Sequence, residues 1–144
     1  MRLQKEFNKY LADLAVVTFK LHNLHWNVQG NAFVAVHEFT ESVYDQTFAF
    51  LDTVAEHQKI FGVTPDSRLS DYLANAEIKE IDARVFGDNE ALQIVADDLQ
   101  ILRRTAVELR AASDAEGWFS AVAFLEEQIA YYDKQLWFIR ATLG

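Results

Sequence analysis

Five side chains in the first sixty residues carry groups that bind metal ions: His25, His37, Glu41, Asp52 and Glu56. Imidazole and carboxylate together suit iron, zinc or manganese. His37 and Glu41 are four residues apart, and so are Asp52 and Glu56. That spacing puts each pair on one face of a helix. From His37 to Asp52, however, is roughly 22 Å along a helix at 1.5 Å per residue. No ion, nor two adjacent ions, bridges that distance. The groups can meet only if their helix lies antiparallel to a second copy of itself, across a two-fold axis near Asp45. His37 and Glu41 of one copy then approach Asp52 and Glu56 of the other, and the self-complementary contact forms two equal sites. His25, just ahead of the Gly30 turn, can join His37 of its own chain. The expected donor set is two histidines from one subunit and two carboxylates from its neighbour. Taken singly, each residue also has a plainer reading, as a packed histidine or part of a solvated acidic face.

Composition narrows the chemistry. The 144 residues contain no cysteine, so thiolate zinc sites, cysteine-ligated clusters and disulfides are excluded. The net charge of −9 attracts cations and repels a DNA duplex. The longest early apolar run, 14–19, is too short for a membrane span and makes a poor signal peptide. A cytoplasmic protein with no membrane partner is expected. Half of the chain is apolar, with eleven Phe, five Tyr and three Trp. Such a surplus is often buried against partners.

The elements that position the ligands follow from the punctuation. With one Pro and five Gly, long helices are expected. Breaks fall at Gly30, at 62–66, at 87–89 and at 113–117. Between them apolar residues recur at spacings of three and four. Leu3, Phe7, Tyr10, Leu14, Val17, Leu21 and Leu24 form one seam. Leu92, Val95, Leu99, Leu102, Ala106 and Leu109 form another. Val122, Leu125, Ile129, Tyr132, Leu136, Ile139 and Leu143 form a third. The segment 33–61 carries two apolar sets, Val36, Val43, Phe50 and Val54, and Phe39, Tyr44, Phe48 and Leu51. That pattern fits either a wide core face or two partners, the core and another subunit. The fold expected over 1–144 is a single all-α, ferritin-like four-helix bundle, with a short extra helix at 70–75 in the long connection 62–88. Ser70 and Asp88 are the expected N-caps. No Glu is followed by His three residues later, so the usual single-chain di-iron signature is absent.

The run Leu21-His22-Asn23-Leu24-His25-Trp26-Asn27-Val28-Gln29-Gly30, then Val36-His37-Glu38, then Phe50-Leu51-Asp52-Thr53-Val54-Ala55-Glu56, resembles the signatures of the Dps family of mini-ferritins. The likeness extends over the whole chain, including 69–78 as the short helix and 135–141 near the C-terminus. It implies a dodecameric shell that oxidises ferrous iron at two-fold inter-subunit sites, preferably with hydrogen peroxide and otherwise with oxygen, and stores ferric mineral. By position it implies His25 and His37 as ligands from one subunit and Asp52 and Glu56 from the other. Glu41 would be a weak or outer ligand, and Trp26 would stand beside the site. Zinc is a possible competitor for iron, and the alternatives are a non-catalytic or zinc-binding shell, or a nucleoid protein that coats DNA.

Two departures stand out. Many family members bind DNA through a Lys-rich tail, and no such tail is evident here, so DNA binding is not expected. Relatives also carry acidic residues at the start of the last helix, lining three-fold pores. Here Trp118 and Phe119 occupy that stretch, with Asp114 and Glu116 upstream. The iron entry route is therefore open.

Overall fold

The computed structural model describes residues 2–144. Four long helices make the bundle: α1 (Gln4–Asn27), α2 (Phe33–Ile60), α4 (Asp88–Ala115) and α5 (Phe119–Leu143). A short α3 (Leu69–Asn75) lies in the long connection. Two-residue strands β1 (Val28–Gln29) and β2 (Phe86–Gly87) pair in parallel, Val28 opposite Phe86. β1 leads into α2 through the short turn 30–32, and β2 runs directly into α4. Both helices therefore start at the same end of the bundle and run parallel, which the long crossover permits.

The three seams are the core. Phe7, Tyr10, Leu14, Val17, Leu21 and Leu24 of α1 are buried, as is the whole α4 seam. In α5, Val122, Leu125, Tyr132, Leu136 and Ile139 are buried. Two tyrosines bring hydroxyls inside and satisfy each other: Tyr10 Oη donates to Gln128 Oε1 at 2.6 Å and lies 2.6 Å from Tyr132 Oη. A buried hydroxyl without such a partner would cost about 1–3 kcal/mol.

On α2, Val36, Val43, Phe50 and Val54 are buried. Of the second set, Phe39, Tyr44 and Leu51 pack half-buried against the core, while Phe48 stays 64% exposed. Three of the four therefore lean on the core of their own chain, and Phe48 faces outward.

Both expected caps are corrected. α4 begins at Asp88 itself, and the Gly87 N–H is accepted by Glu90 Oε1 at 3.2 Å. The Asp88 carboxylate instead accepts the Ala32 N–H at 3.2 Å, tying the α1–α2 turn to the start of α4. α3 starts at Leu69, so Ser70 lies inside its first turn, and no side chain caps it. Arg68 grips Asp71 across that turn at 2.9 and 3.0 Å. α3 also ends at Asn75, short of the 69–78 span that the resemblance implied.

The connection is fastened rather than loose. Fully buried Asp13 accepts the N–H groups of Glu77 and Ile78 at 2.7 and 2.9 Å. Its second oxygen lies 2.7 Å from Lys9 Nζ. Glu77 in turn pairs with Lys9 and Arg104. Gly30 has φ +141°, a conformation that side chains rarely adopt. A Cβ there would stand 2.6 Å from Asp88 Oδ2.

Candidate metal centre

The end of α1 and the start of α2 are joined by a turn so short that His25 and His37 face each other. Their rings stack with centroids 3.6 Å apart and planes 14° apart. Each ring is held by the other's backbone. His25 Nδ1 lies 2.6 Å from the His37 carbonyl oxygen, and His37 Nδ1 lies 2.7 Å from the His25 carbonyl oxygen. A carbonyl oxygen only accepts, so both Nδ1 atoms carry the proton. In the neutral rings each Nε2 then keeps its lone pair. This is the tautomer that an imidazole ligand needs, fixed by a partner on its far nitrogen.

Thr40 completes the support. It is fully buried, its Oγ1 lies 3.3 Å from His25 Nδ1, and it donates toward the Val36 and His37 carbonyls. Sequence reasoning passed over it. A threonine inside a helix is unremarkable until the neighbouring helix is seen to place a histidine beside it.

The carboxylates lie elsewhere on α2. Glu41, Asp52 and Glu56 are all exposed. Tyr44 Oη donates to Glu41 Oε1 at 3.4 Å. Asp52 and Glu56 stand together one turn apart, and Asp52 raises the Glu56 carboxyl above its ordinary value by hydrogen bonding and by charge. Two acids sharing a site in this way disfavour double ionisation, and a cation between them would relieve that. Within one subunit, among the described residues, no three His or carboxylate side chains converge on a common point. The structure therefore brings His25 and His37 together and leaves Asp52 and Glu56 apart from them, as the axial spacing requires.

An aromatic array surrounds the histidines. Phe33 stacks on His37 at 5.1 Å. Tyr44 meets His25 edge-on at 5.3 Å and stacks face to face on His22 at 3.7 Å. Trp26 touches His22 at 5.5 Å and is 67% exposed. The fourth histidine, His57, is no part of this group. It is buried between Phe61 and Phe124, and burial lowers its pKa.

At the far end of the bundle, Trp118 is half-buried against Phe61 at 4.9 Å, and Phe119 is exposed. Glu116 pairs with Arg2 at 2.7 Å, whereas Asp114 is exposed. None of the helices among the described residues is long and apolar enough to cross a membrane.

Known proteins share this fold. The ferritin-like domain model matches residues 4–144. The DNA protection during starvation protein of Helicobacter pylori is 31% identical over 140 residues, covering 96% of this chain and 97% of its own. The crystal structure of Helicobacter cinaedi CAIP superposes with a TM-score of 0.95 at 30% identity, over 99% of both chains. The Dps protein of Vibrio cholerae, described as one of a broad superfamily of ferritin-like diiron-carboxylate proteins, superposes with a TM-score of 0.94 at 25% identity, over 99% of this chain and 89% of its own. Together with the histidine pair and the parallel placement of α2 and α4, these matches place the chain in the Dps family of ferritin-like proteins.

Proposed function

We propose that this protein is a ferroxidase and iron-storage mini-ferritin whose catalytic sites form between two-fold-related subunits of a dodecameric shell. The observation that carries the reading is the pair of oriented histidines, with which, among the described residues, Asp52 and Glu56 of their own chain do not converge. Each Nε2 is ready to donate to a metal ion, and the acids that would complete the site stand about fifteen residues further along the same helix, roughly 22 Å away. An antiparallel second copy of α2 brings them in.

In this reading ferrous iron is the substrate. His25 and His37 hold it through nitrogen, which suits the ferrous state, while Asp52 and Glu56 of the neighbour supply hard oxygen donors that favour the ferric product. Glu41 is a weak or outer ligand. Two ferrous ions give one electron each to hydrogen peroxide, which takes up two protons and leaves as two waters. Because the electrons arrive as a pair, no hydroxyl radical escapes. Oxygen is the slower alternative oxidant. Zinc fits the same donors and would compete without turning over, since it has no redox chemistry. We further propose a cytoplasmic protein that does not coat DNA, because a net charge of −9 opposes a polyanion.

The test is native mass together with metal content, followed by peroxide consumption when ferrous iron is added. A mass near twelve subunits, bound iron and one peroxide consumed per two irons would support the reading. Tight zinc binding with slow, unsaturable iron oxidation would contradict it in favour of a zinc-binding shell.

A further inference from the structure

A shared metal site requires the acidic face of α2 to lie against a second copy. That face is a single stripe. Glu41, Asp45, Phe48, Asp52 and Glu56 follow one another at spacings of four, three, four and four, and all five are exposed. Before metal binds, two such stripes set carboxylates against carboxylates, and like charges drive the copies apart. An apolar contact must offset that repulsion. Phe48 is the one apolar member of the stripe, and it stands three residues past Asp45, where the two-fold axis lies.

The apolar surface continues from Phe48 onto the neighbouring helices. Thr18 Oγ1 lies 2.8 Å from Thr47 Oγ1, which sets Phe19 of α1 level with Phe48 of α2. Phe19 is 67% exposed. It also lines a groove between α1 and α3, together with Val16, Leu69, Leu73 and Ile81. The ammonium of Lys20, which lines the same groove, is already paired with Asp98 at 2.9 Å, so its charge is compensated. α3 has seven residues and none of them is buried. A helix so short does not hold itself together in water. Yet Leu69 is 66% exposed and Leu73 is exposed beside it. Apolar side chains scattered singly over a surface need no cover, but four on one continuous face do.

We propose that this face, made of Phe48, Phe19 and the two leucines of α3, is the surface by which two copies of the chain join, and that Phe48 anchors it. The inference rests on the shared-site reading above and on its two-fold axis. The contact is isologous, so each copy offers the same four side chains to the other. Phe48 lies within the acidic stripe itself, so its packing sets the register in which Asp52 and Glu56 of one copy meet His25 and His37 of the other. The long crossover then does more than let α2 and α4 run parallel. It carries α3 to the face where the second copy covers its leucines.

The test places a photoreactive ring at the anchor, as Phe48→p-benzoylphenylalanine in the full-length protein. Illumination should give a covalent dimer on a denaturing gel, with the crosslinked peptide falling in 15–23, 44–52 or 69–73 of the other copy. Phe48→Asp and Leu73→Asp change exposed positions and should keep the helical circular dichroism of the wild type. Their native mass should fall, and ferroxidase activity should drop about tenfold or more, as for the loss of an interface anchor. Absence of the covalent dimer, or a crosslink only to α4 or α5, overturns the face, as do aspartate variants that assemble and oxidise iron like the wild type. Each of those results leaves the shared-site reading standing. A wild type that is monomeric by native mass and still oxidises iron overturns both.

Discussion

His25 and His37 fix each other. Each Nδ1 donates to the other's main-chain carbonyl, at 2.6 and 2.7 Å, and the rings stack between those two bonds. The two residues therefore move as one unit, and both Nε2 atoms are presented before any metal arrives. Preorganisation of this kind removes the ordering cost that a flexible ligand pair would pay on binding.

The Thr40 hydroxyl is the part of this unit that a substitution of similar shape removes most selectively. Its hydroxyl lies 3.3 Å from His25 Nδ1 and is fully buried. Thr40→Val keeps the shape and deletes the hydroxyl. Loss of such an outer partner commonly costs tenfold to a hundredfold in metal affinity, and about tenfold is expected here. Zinc titration of the assembled protein by calorimetry measures it directly. Unchanged affinity would show that the two carbonyls orient the rings alone.

Gly30 sets the turn that brings the histidines together. Its φ of +141° and the Asp88 oxygen 2.6 Å from a would-be Cβ both oppose any side chain. Gly30→Ala should destabilise the chain by about 1–3 kcal/mol through backbone strain. It should also displace the Asp88 carboxylate from the Ala32 N–H and weaken metal binding. Denaturant titration alongside metal titration reads both effects. A variant as stable as the wild type would mean the turn is not strained.

Two carboxyls give the stability opposite pH dependences in neighbouring windows. Burial pushes Asp98 up to about 6, with Lys20 at 2.9 Å only partly opposing it. Between the ordinary value of 3.8 and about 6, the folded chain holds a proton that the unfolded chain has lost. Stability from this group therefore falls as pH rises through that window. Glu77 is held down to about 2, first by Arg104 and then by Lys9. Its contribution is present above 4.5 and is lost as pH falls from there to about 2. Asp98→Asn should flatten the stability curve in the upper window, and Glu77→Gln in the lower. Melting curves across both windows that stay parallel to the wild type would contradict these assignments.

The helices and their buried faces were legible in the amino-acid pattern because seams such as Leu92, Val95, Leu99 and Leu102 repeat at the helical period and are all buried. The separation of His37 from Asp52 within one chain was legible too, since Asp52 lies too far along α2 to join it. What remained hidden depends on contacts between helices. Asp88 resembled a local cap, but its carboxylate is drawn to the Ala32 N–H of a turn distant in sequence. Thr40 gave no signal at all, because its partner is on α1. The stack of Tyr44 on His22 was invisible for the same reason. In the apolar pattern Tyr44 counts only by its ring, and nothing in that pattern marks its hydroxyl as bonded to Glu41.

The central claim is that each site takes its histidines from one subunit and its acids from another. Co-expression of His37→Ala and Asp52→Ala chains tests it most directly. Each variant alone should oxidise almost no iron. In a two-fold pair of one chain of each kind, one site combines both substitutions and the other has neither. Random mixing should therefore restore about a quarter of the wild-type ferroxidase sites, since half of the pairs are mixed and one site in each is intact. Mixed assemblies as inactive as either variant alone would contradict the shared site and place all its ligands within a single chain.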